Sequence, residues 1–457
     1  MIFNSLDYFL FLPPVVLLYF LLPLAARQWM LIAASFFFYM VWNARYSLIL
    51  VFFIFLDFTA GLCIAGAATQ TKRKLWLISS LGCNLGVLVL FKYYGFLAGT
   101  LRDLGLIRTS PALGLLLPLG ISFHTFQTMS YTIDVYRGVI PPERSLRRFA
   151  LFVSFFPQLV AGPIERGAEL LPQLTVKHAF DWDDFVTGSR RILDGVVKKA
   201  VLADNIAPWV NQVYGSPSAF SGSSCLLATW LFAAQICFDF SGYSDIAIGT
   251  ARLMGFRFTE NFDKPYISTS IQEFWRRWHM SLSRWLRDYL YVSLGGNRRG
   301  TLRTYANLFI TMLLGGLWHG ASWNFVIWGG LHGAWLSVER VIRGKRVSSA
   351  STPIRWLKAF FVFNGVCVTW VFFRARNLTE ASAILGRILH WTPGSAVAAG
   401  YGWYRFLLIM LLGGAYFALP WLARKPRLGV AWSASLAGVL LLILFGAKSN
   451  EFIYFIF

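Results

Sequence analysis

The sequence predicts an all-α polytopic membrane protein, with about 11–12 transmembrane helices plus re-entrant and interfacial helices. Three observations carry that prediction. Of 457 residues, 56% are apolar and only 14% are charged, where a soluble domain carries about 25% charged residues. Aromatic residues reach 17%. The apolar residues also gather in runs close to the roughly 20 residues that a helix needs to cross a bilayer. A chain with so little polar surface cannot cover itself in water.

The runs follow in order. Residues 6–24, 28–43 and 46–67 come first, closed by a 68–74 loop that nets +3 from Lys72, Arg73 and Lys74. The run 75–98 is closed by a loop netting +1, and 112–133 by the 137–148 loop, again +3. After 149–164, the segment 165–222 nets −1 and reads as a long loop. The run 223–249 is followed by 250–303, which nets +6. Runs at 304–318, 322–340, 356–373, 404–422 and 430–447 complete the set, separated by loops netting +6 (340–358), +2 (374–402) and +3 (424–427). Cytoplasmic loops collect Lys and Arg, so this alternation places the N-terminus outside. The first run ends without a small-residue cleavage site and reads as a retained helix. No internal repeat and no long linker is visible, so the chain reads as a single domain over 1–457.

The net charge of +21 would suggest nucleic acid in a soluble protein. Here it fits anionic lipid headgroups, and no nucleic-acid-binding motif accompanies it. Cys63, Cys83, Cys225, Cys237 and Cys367 lie in apolar stretches with no CxxC spacing, so they read as small buried hydrophobes.

Four stretches carry polar chemistry inside this apolar chain. "FWRRWHMSLSRWLRDYLY" (Phe274 to Tyr291) holds three Trp, four Arg, one Asp and one His. On a helix, Trp275, Trp278, His279, Leu282 and Leu286 recur at spacings of three and four, with Arg276, Arg277, Arg284 and Arg287 around them. That pattern predicts an amphipathic helix in the cytoplasmic interface, with Trp at headgroup depth and Arg snorkelling. His279 falls beside the apolar face, as a satisfied core histidine or as part of a site.

The second stretch, "TMLLGGLWHGASWNFVIWGGLHGAW" (Thr311 to Trp335), carries His319 and His332. The run before His319 makes about 22 Å of helix, short of the roughly 30 Å hydrocarbon thickness. The next run begins at Ser322. The tip bearing His319 is therefore expected below the bilayer surface, where an ionisable residue is a functional candidate. Gly315, Gly316, Gly320, Gly329, Gly330 and Gly333 would let helices or a long substrate approach closely. Third, Asp239 and Asp245 in "QICFDFSGYSDIAIG" face a cavity or pair with bases, for which the Arg residues of 250–303 are the expected partners. Fourth, His124, Gln127, Tyr131 and Asp134 form one polar stripe that faces protein or water.

No P-loop, GxSxG, HExxH or paired Cys/His set is present. What remains is an intramembrane histidine, a second histidine in a cationic segment, and glycine-rich helices between them. A neutral imidazole in an apolar setting suits general-base activation of a hydroxyl. The Arg and Trp cluster could receive an anionic thioester such as a coenzyme A derivative. Two rival readings use the same residues. A proton-coupled transporter or flippase would relay protons through His319, His279 and Asp239, and a scaffold of a synthase complex would need neither histidine.

The stretch Glu260 to Tyr291, with "GLWHG" (Gly316 to Gly320) downstream, resembles the membrane-bound O-acyltransferases, and most of all their bacterial branch containing the alginate O-acetylation membrane protein. "MIFNSLDYFLFL", "LPLGISFHTFQTMSYTIDVYRG", "FFPQLVAGPIER" and "FDFSGYSDIAIG" look like the same branch, so the likeness runs over nearly the whole chain. One departure is His124, where an aromatic such as Tyr is expected.

The resemblance implies a ring of helices around a central funnel or tunnel, with a catalytic core at about 115–340. It implies His319 and His279 as the catalytic pair. Substrate-binding or channel roles fall to Gln127, Asp239, Asn261, Trp275, Arg276, Trp278, Arg287, Asp288, Trp318 and His332. It further implies no bound cofactor and no metal, but an acyl thioester co-substrate, either acetyl-CoA or an acyl carrier protein. The acceptor would be an exported polysaccharide such as alginate or cellulose, reached directly or through a periplasmic SGNH-hydrolase-like acetyltransferase. D-alanyl transfer and peptidoglycan O-acyl transfer belong to the same family. The implied location is the bacterial inner membrane.

Overall fold

The computed structural model describes the chain except residues 2, 4, 110–113, 160–161, 344–351, 398–401, 423–427 and 448–457. Among the described residues the only β-pairing is an isolated bridge between Phe220 and Ser395; the rest of the regular structure is helical. The chain is an all-α polytopic membrane protein. Among the described residues, four helical stretches are long and apolar enough to cross a bilayer: Leu24–Gly66, Gln70–Asp103, Gly222–Leu253 and Thr352–Arg374. Leu24–Gly66 takes in two expected runs, joined by a tight turn at Ala44–Tyr46. Leu6–Leu21, Gly402–Phe417 and Ser435–Phe445 are shorter apolar helices. The 424–427 loop and residues 344–351 of the 340–358 loop lie outside the described residues.

The described residues form two compact units, Met1–Ser189 with Ala247–Glu260, and Arg190–Ile246 with Asn261–Phe457. In the first unit, a buried polar network ties three helices. Asp57, on Ser47–Gly66, accepts hydrogen bonds from Ser80 Oγ (2.5 Å) and Asn84 Nδ2 (3.0 and 3.1 Å) on Gln70–Leu88, and Thr128 on Ile121–Arg137 donates to Asn84 (2.9 Å). Without water to compete, such bonds fix helix register.

The Ile121–Arg137 helix is buried on almost every side, so the His124–Gln127–Tyr131–Asp134 stripe faces protein. Gln127 donates to Phe152 O at 2.7 Å, an interhelical bond. The Tyr131 ring packs against Gly61, where an added Cβ would stand 2.8 Å from it. His124 packs against the Tyr39 ring.

Three expected boundaries are corrected. The run 112–133 becomes a helix only from Ile121, because Gly120 sits in the left-handed region just before it (φ 70°). The run 149–164 is not a span. It is the short helix Leu146–Ser154 followed by a single turn, Phe156–Leu159. Pro157 cannot continue the first helix, and the fully buried Phe149, Phe152, Phe155 and Phe156 spend the apolar character inside the protein. The segment 165–222 is no loop. From Trp182 to Gly215 it is helical, with a π-helical stretch at Val197–Ala203. Its buried face (Val197, Val201, Ile206, Val210) alternates with charges that dilute hydropathy without interrupting the helix.

In the second unit, Thr301–His319 and Trp323–Arg343 form a tight hairpin. A Cβ on Gly316 would collide with Phe325 O, and one on Gly329 with Met312 O, so these glycines serve backbone contact. Gly333 does the same against Phe309, while Gly315 meets only Leu286 and Gly330 makes only ordinary contacts.

Candidate active site

The Phe274–Tyr291 stretch is not the single amphipathic helix that its spacing predicts. Ile271–Arg277 ends, the chain turns at Trp278 and His279, and a new helix begins at Met280–Trp285, continued by a π-helical Leu286–Tyr291. His279 takes a left-handed conformation (φ 42°, ψ 56°), which costs a residue with a Cβ about 1–3 kcal/mol and persists only where surroundings enforce it. The break turns Trp278 and His279 inward, and both are fully buried. Arg276 and Arg287 stay exposed, and Arg287 pairs with its neighbour Asp288 at 2.6 Å.

His319 closes the first arm of the hairpin and is 4% exposed. Its ring centroid lies 6.4 Å from that of His279. Aromatic rings wall the pair. Trp318 stands 5.0 Å from His319 and 6.0 Å from His279, Trp328 and Phe373 lie 5.1 and 5.3 Å from His319, and Phe240 lies 4.6 Å from His279. Burial in this setting holds the His279 imidazole far below its usual value, at about 3. It is therefore neutral at any physiological pH.

Asn261 anchors the turn. Its Oδ1 accepts from Ser281 N–H (3.2 Å), from Ser281 Oγ (3.0 Å) and from His279 Nδ1 (3.2 Å), while its Nδ2 donates to Ser244 Oγ (3.0 Å).

His332 is buried one layer out. Trp275 Nε1 donates to His332 Nδ1 (3.3 Å), and His332 Nε2 meets Thr369 Oγ1 (3.0 Å), whose own proton goes to Val366 O (2.7 Å). An indole N–H only donates, so Nδ1 accepts and Nε2 carries the proton. Both nitrogens are spent on neighbours, and the ring braces Trp328 at 4.8 Å. Trp278 stacks on Phe274 and packs on Trp370.

Asp239 pairs with a base, one of the two expected settings, but not with the expected arginines. It is 1% exposed and ion-paired at 2.7 Å with Lys199, which also holds Asp204 at 2.8 Å. Asp245 pairs with Arg191 and Lys198. The basic partners thus come from 190–204 and not from the Arg residues of 250–303. Gln127 belongs to the first unit, in the interhelical bond described above.

Sequence reasoning missed Ser281, Ser244, Trp328, Phe373 and the Lys199 pair. Lys198–Lys199 amid "GVV…AVL" was the available signal, since adjacent lysines in an apolar frame need buried partners. Among the described residues, no three His, Cys, Asp or Glu side chains gather as a metal would require.

Two buried histidines thus stand side by side among aromatic rings in a polytopic helical protein. The sequence profile of the MBOAT, membrane-bound O-acyltransferase family matches residues 140–382. The chain belongs to that family and is an O-acyltransferase. It is 45% identical over 388 residues to a probable alginate O-acetylase AlgI of Azotobacter vinelandii, covering 83% of this chain and 76% of the relative. It is 40% identical to the probable alginate O-acetylase AlgI of Pseudomonas putida, over 98% of this chain and 96% of that one. It is also 38% identical to the peptidoglycan O-acetyltransferase of Helicobacter pylori, over 84% and 79%.

Proposed function

We propose that this enzyme takes an acetyl group from a cytoplasmic thioester, acetyl-CoA or an acyl carrier protein, and delivers it to hydroxyls of an exported polysaccharide of the alginate type. The reaction centre is the space between His319 and His279. The observation that carries the proposal is the 6.4 Å pairing of these two buried imidazoles, in a chain so similar to alginate O-acetylases. His319 takes the proton of the attacking hydroxyl, the hydroxyl oxygen bonds to the thioester carbonyl carbon, the C–S bond breaks, and the His319 imidazolium returns the proton to the departing thiolate, which leaves as the thiol. His279, too weak a base to hold a proton at neutral pH, orients the acceptor sugar by accepting a hydrogen bond from a hydroxyl next to the attacking one.

The dry aromatic wall strengthens these contacts by excluding water. Arg276 and Arg287, exposed on the broken segment, suit the anionic donor at the entrance. The enzyme works in the bacterial inner membrane, and a periplasmic SGNH-hydrolase-like partner completes delivery to the glycan. Asp239 bears against the transporter reading, because a relay needs a carboxylate that is not committed to a lysine.

The test is acetyl release from radiolabelled acetyl-CoA, and from acetylated carrier protein, by wild type and His319→Ala in lipid bilayers with oligosaccharide acceptor. Wild type should turn over, and the variant should lose at least about 100-fold, the lower range for a positioned proton-transfer group. A His319→Ala protein that folds and keeps its rate sinks the assignment.

A further inference from the structure

We propose that Asn261 is the positioning residue of this site: its side-chain amide fixes the His279 tautomer and holds His279 in its left-handed turn. The inference rests on the functional reading above for its purpose, but not for its geometry.

The amide orientation is set by chemistry. Ser281 N–H can only donate, and it points at Asn261 Oδ1 (3.2 Å), so that atom is the oxygen. Ser244 Oγ receives the other end, Nδ2, at 3.0 Å. An amide oxygen only accepts, so His279 Nδ1, 3.2 Å from it, must carry the imidazole proton. The lone pair is then on Nε2, the nitrogen that can accept from a hydroxyl. His332 is locked in the opposite tautomer, with its proton on Nε2, by Trp275 and Thr369. Two buried histidines in one unit are thus set to different states by their neighbours, and only His279 has the form that orients a nucleophile through Nε2.

The same residue holds the backbone. Asn261 O accepts from Met280 N–H (2.9 Å), and Asn261 Oδ1 accepts from Ser281 N–H. These are the first two amides of the new helix, donors that a helix start otherwise leaves without an intrahelical acceptor. Asn261 therefore caps that helix from a distant point in the chain, and the cap compensates the strained conformation at His279. Groups packed on the His279 ring include Phe240 from the Gly222–Leu253 helix, Trp318 and His319 from the hairpin, and Asn261. His319 is the titratable group among these, and a substitution at 261 places a new charge directly against Nδ1.

Asn261→Asp is the informative variant. It keeps acceptors for Ser281 and His279, so the turn is retained, but it places a carboxylate against Nδ1. The imidazole then gains a proton near neutral pH and its Nε2 becomes a donor. In the purified enzyme in lipid, with acetyl thioester and oligosaccharide acceptor, kcat should fall about 100-fold at pH 7. KM for the donor should change little, and a new acid limb should appear that rises with pH. Asn261→Ala should lose kcat at all pH values without that limb.

Independently of turnover, nitrogen-15 NMR of labelled histidine should find His279 as the Nδ1–H form in wild type, and doubly protonated near pH 7 in Asn261→Asp. A wild-type pH profile and kcat in Asn261→Asp, or an Nε2–H signal for His279, overturns the proposal. A wild type that transfers no acetyl group while showing the Nδ1–H signal would overturn the functional reading and leave this inference standing.

Discussion

Replacing Lys199 by Met and Asp239 by Asn separates charge balance from hydrogen bonding in the deepest ion cluster of the second unit. Lys199 Nζ lies 2.8 Å from Asp204 and 2.7 Å from Asp239, and no side chain of the three is more than 2% exposed. By formal charge, two carboxylates share one ammonium. At an effective dielectric constant near 20, each contact supplies about 6 kcal/mol of Coulomb attraction, much of it offset by desolvation. Lys199→Met removes the shared cation from both carboxylates and should cost about 3–5 kcal/mol. Asp239→Asn leaves one ammonium facing one carboxylate, and its amide oxygen still accepts from Nζ, so the cost should be about 1 kcal/mol. Unfolding midpoints in mixed-micelle titrations of the purified proteins read the difference. Asp239→Asn, assayed below its midpoint, should also keep most of its transfer rate. Equal destabilisation by the two variants would refute the triad argument, and loss of transfer in a stable Asp239→Asn protein would return that carboxylate to the chemistry.

Two further outcomes follow from the hairpin and from His279. Gly329→Ala drives a Cβ into Met312 O and should cost about 1–3 kcal/mol. Gly330→Ala meets nothing closer than 3.7 Å and should stay near wild type, so equal folded yields would contradict the close-packed hairpin. His279 is neutral when folded and takes up a proton on unfolding below its ordinary value of 6.5. Its contribution is therefore fully present above pH 6.5 and is lost as pH falls toward 3, at about 1.4 kcal/mol per pH unit. Between pH 7.5 and pH 5, wild type should lose about 2 kcal/mol more than His279→Asn, a substitution that tolerates the left-handed turn. Matching losses would show that His279 titrates as if exposed.

Much of the architecture was legible because apolar runs are a one-dimensional signal. Leu24–Asn43, Ser47–Gly66, Trp323–Arg343 and Thr352–Arg374 fall close to their expected runs. Where prediction failed, burial inside protein had replaced burial in lipid. The 149–164 run is apolar because it is core, and Trp182–Gly215 is helical although its charges read as a loop. Periodicity at Phe274–Tyr291 was real on each side of His279, but a helical repeat cannot reveal a residue that leaves the helix.

The sequence alone determined the membrane class, the helical fold and the two histidines worth testing, since hydropathy, depth and residue type are local properties. Only the tertiary structure decided that His279 and His319 stand 6.4 Å apart although 40 positions separate them in the chain. It alone assigned Asp239 to Lys199 and Asn261 to His279. Those assignments depend on distances between side chains brought together by folding. The direction of a hydrogen bond, and with it the state of an imidazole, is settled by the partner that arrives from elsewhere in the chain.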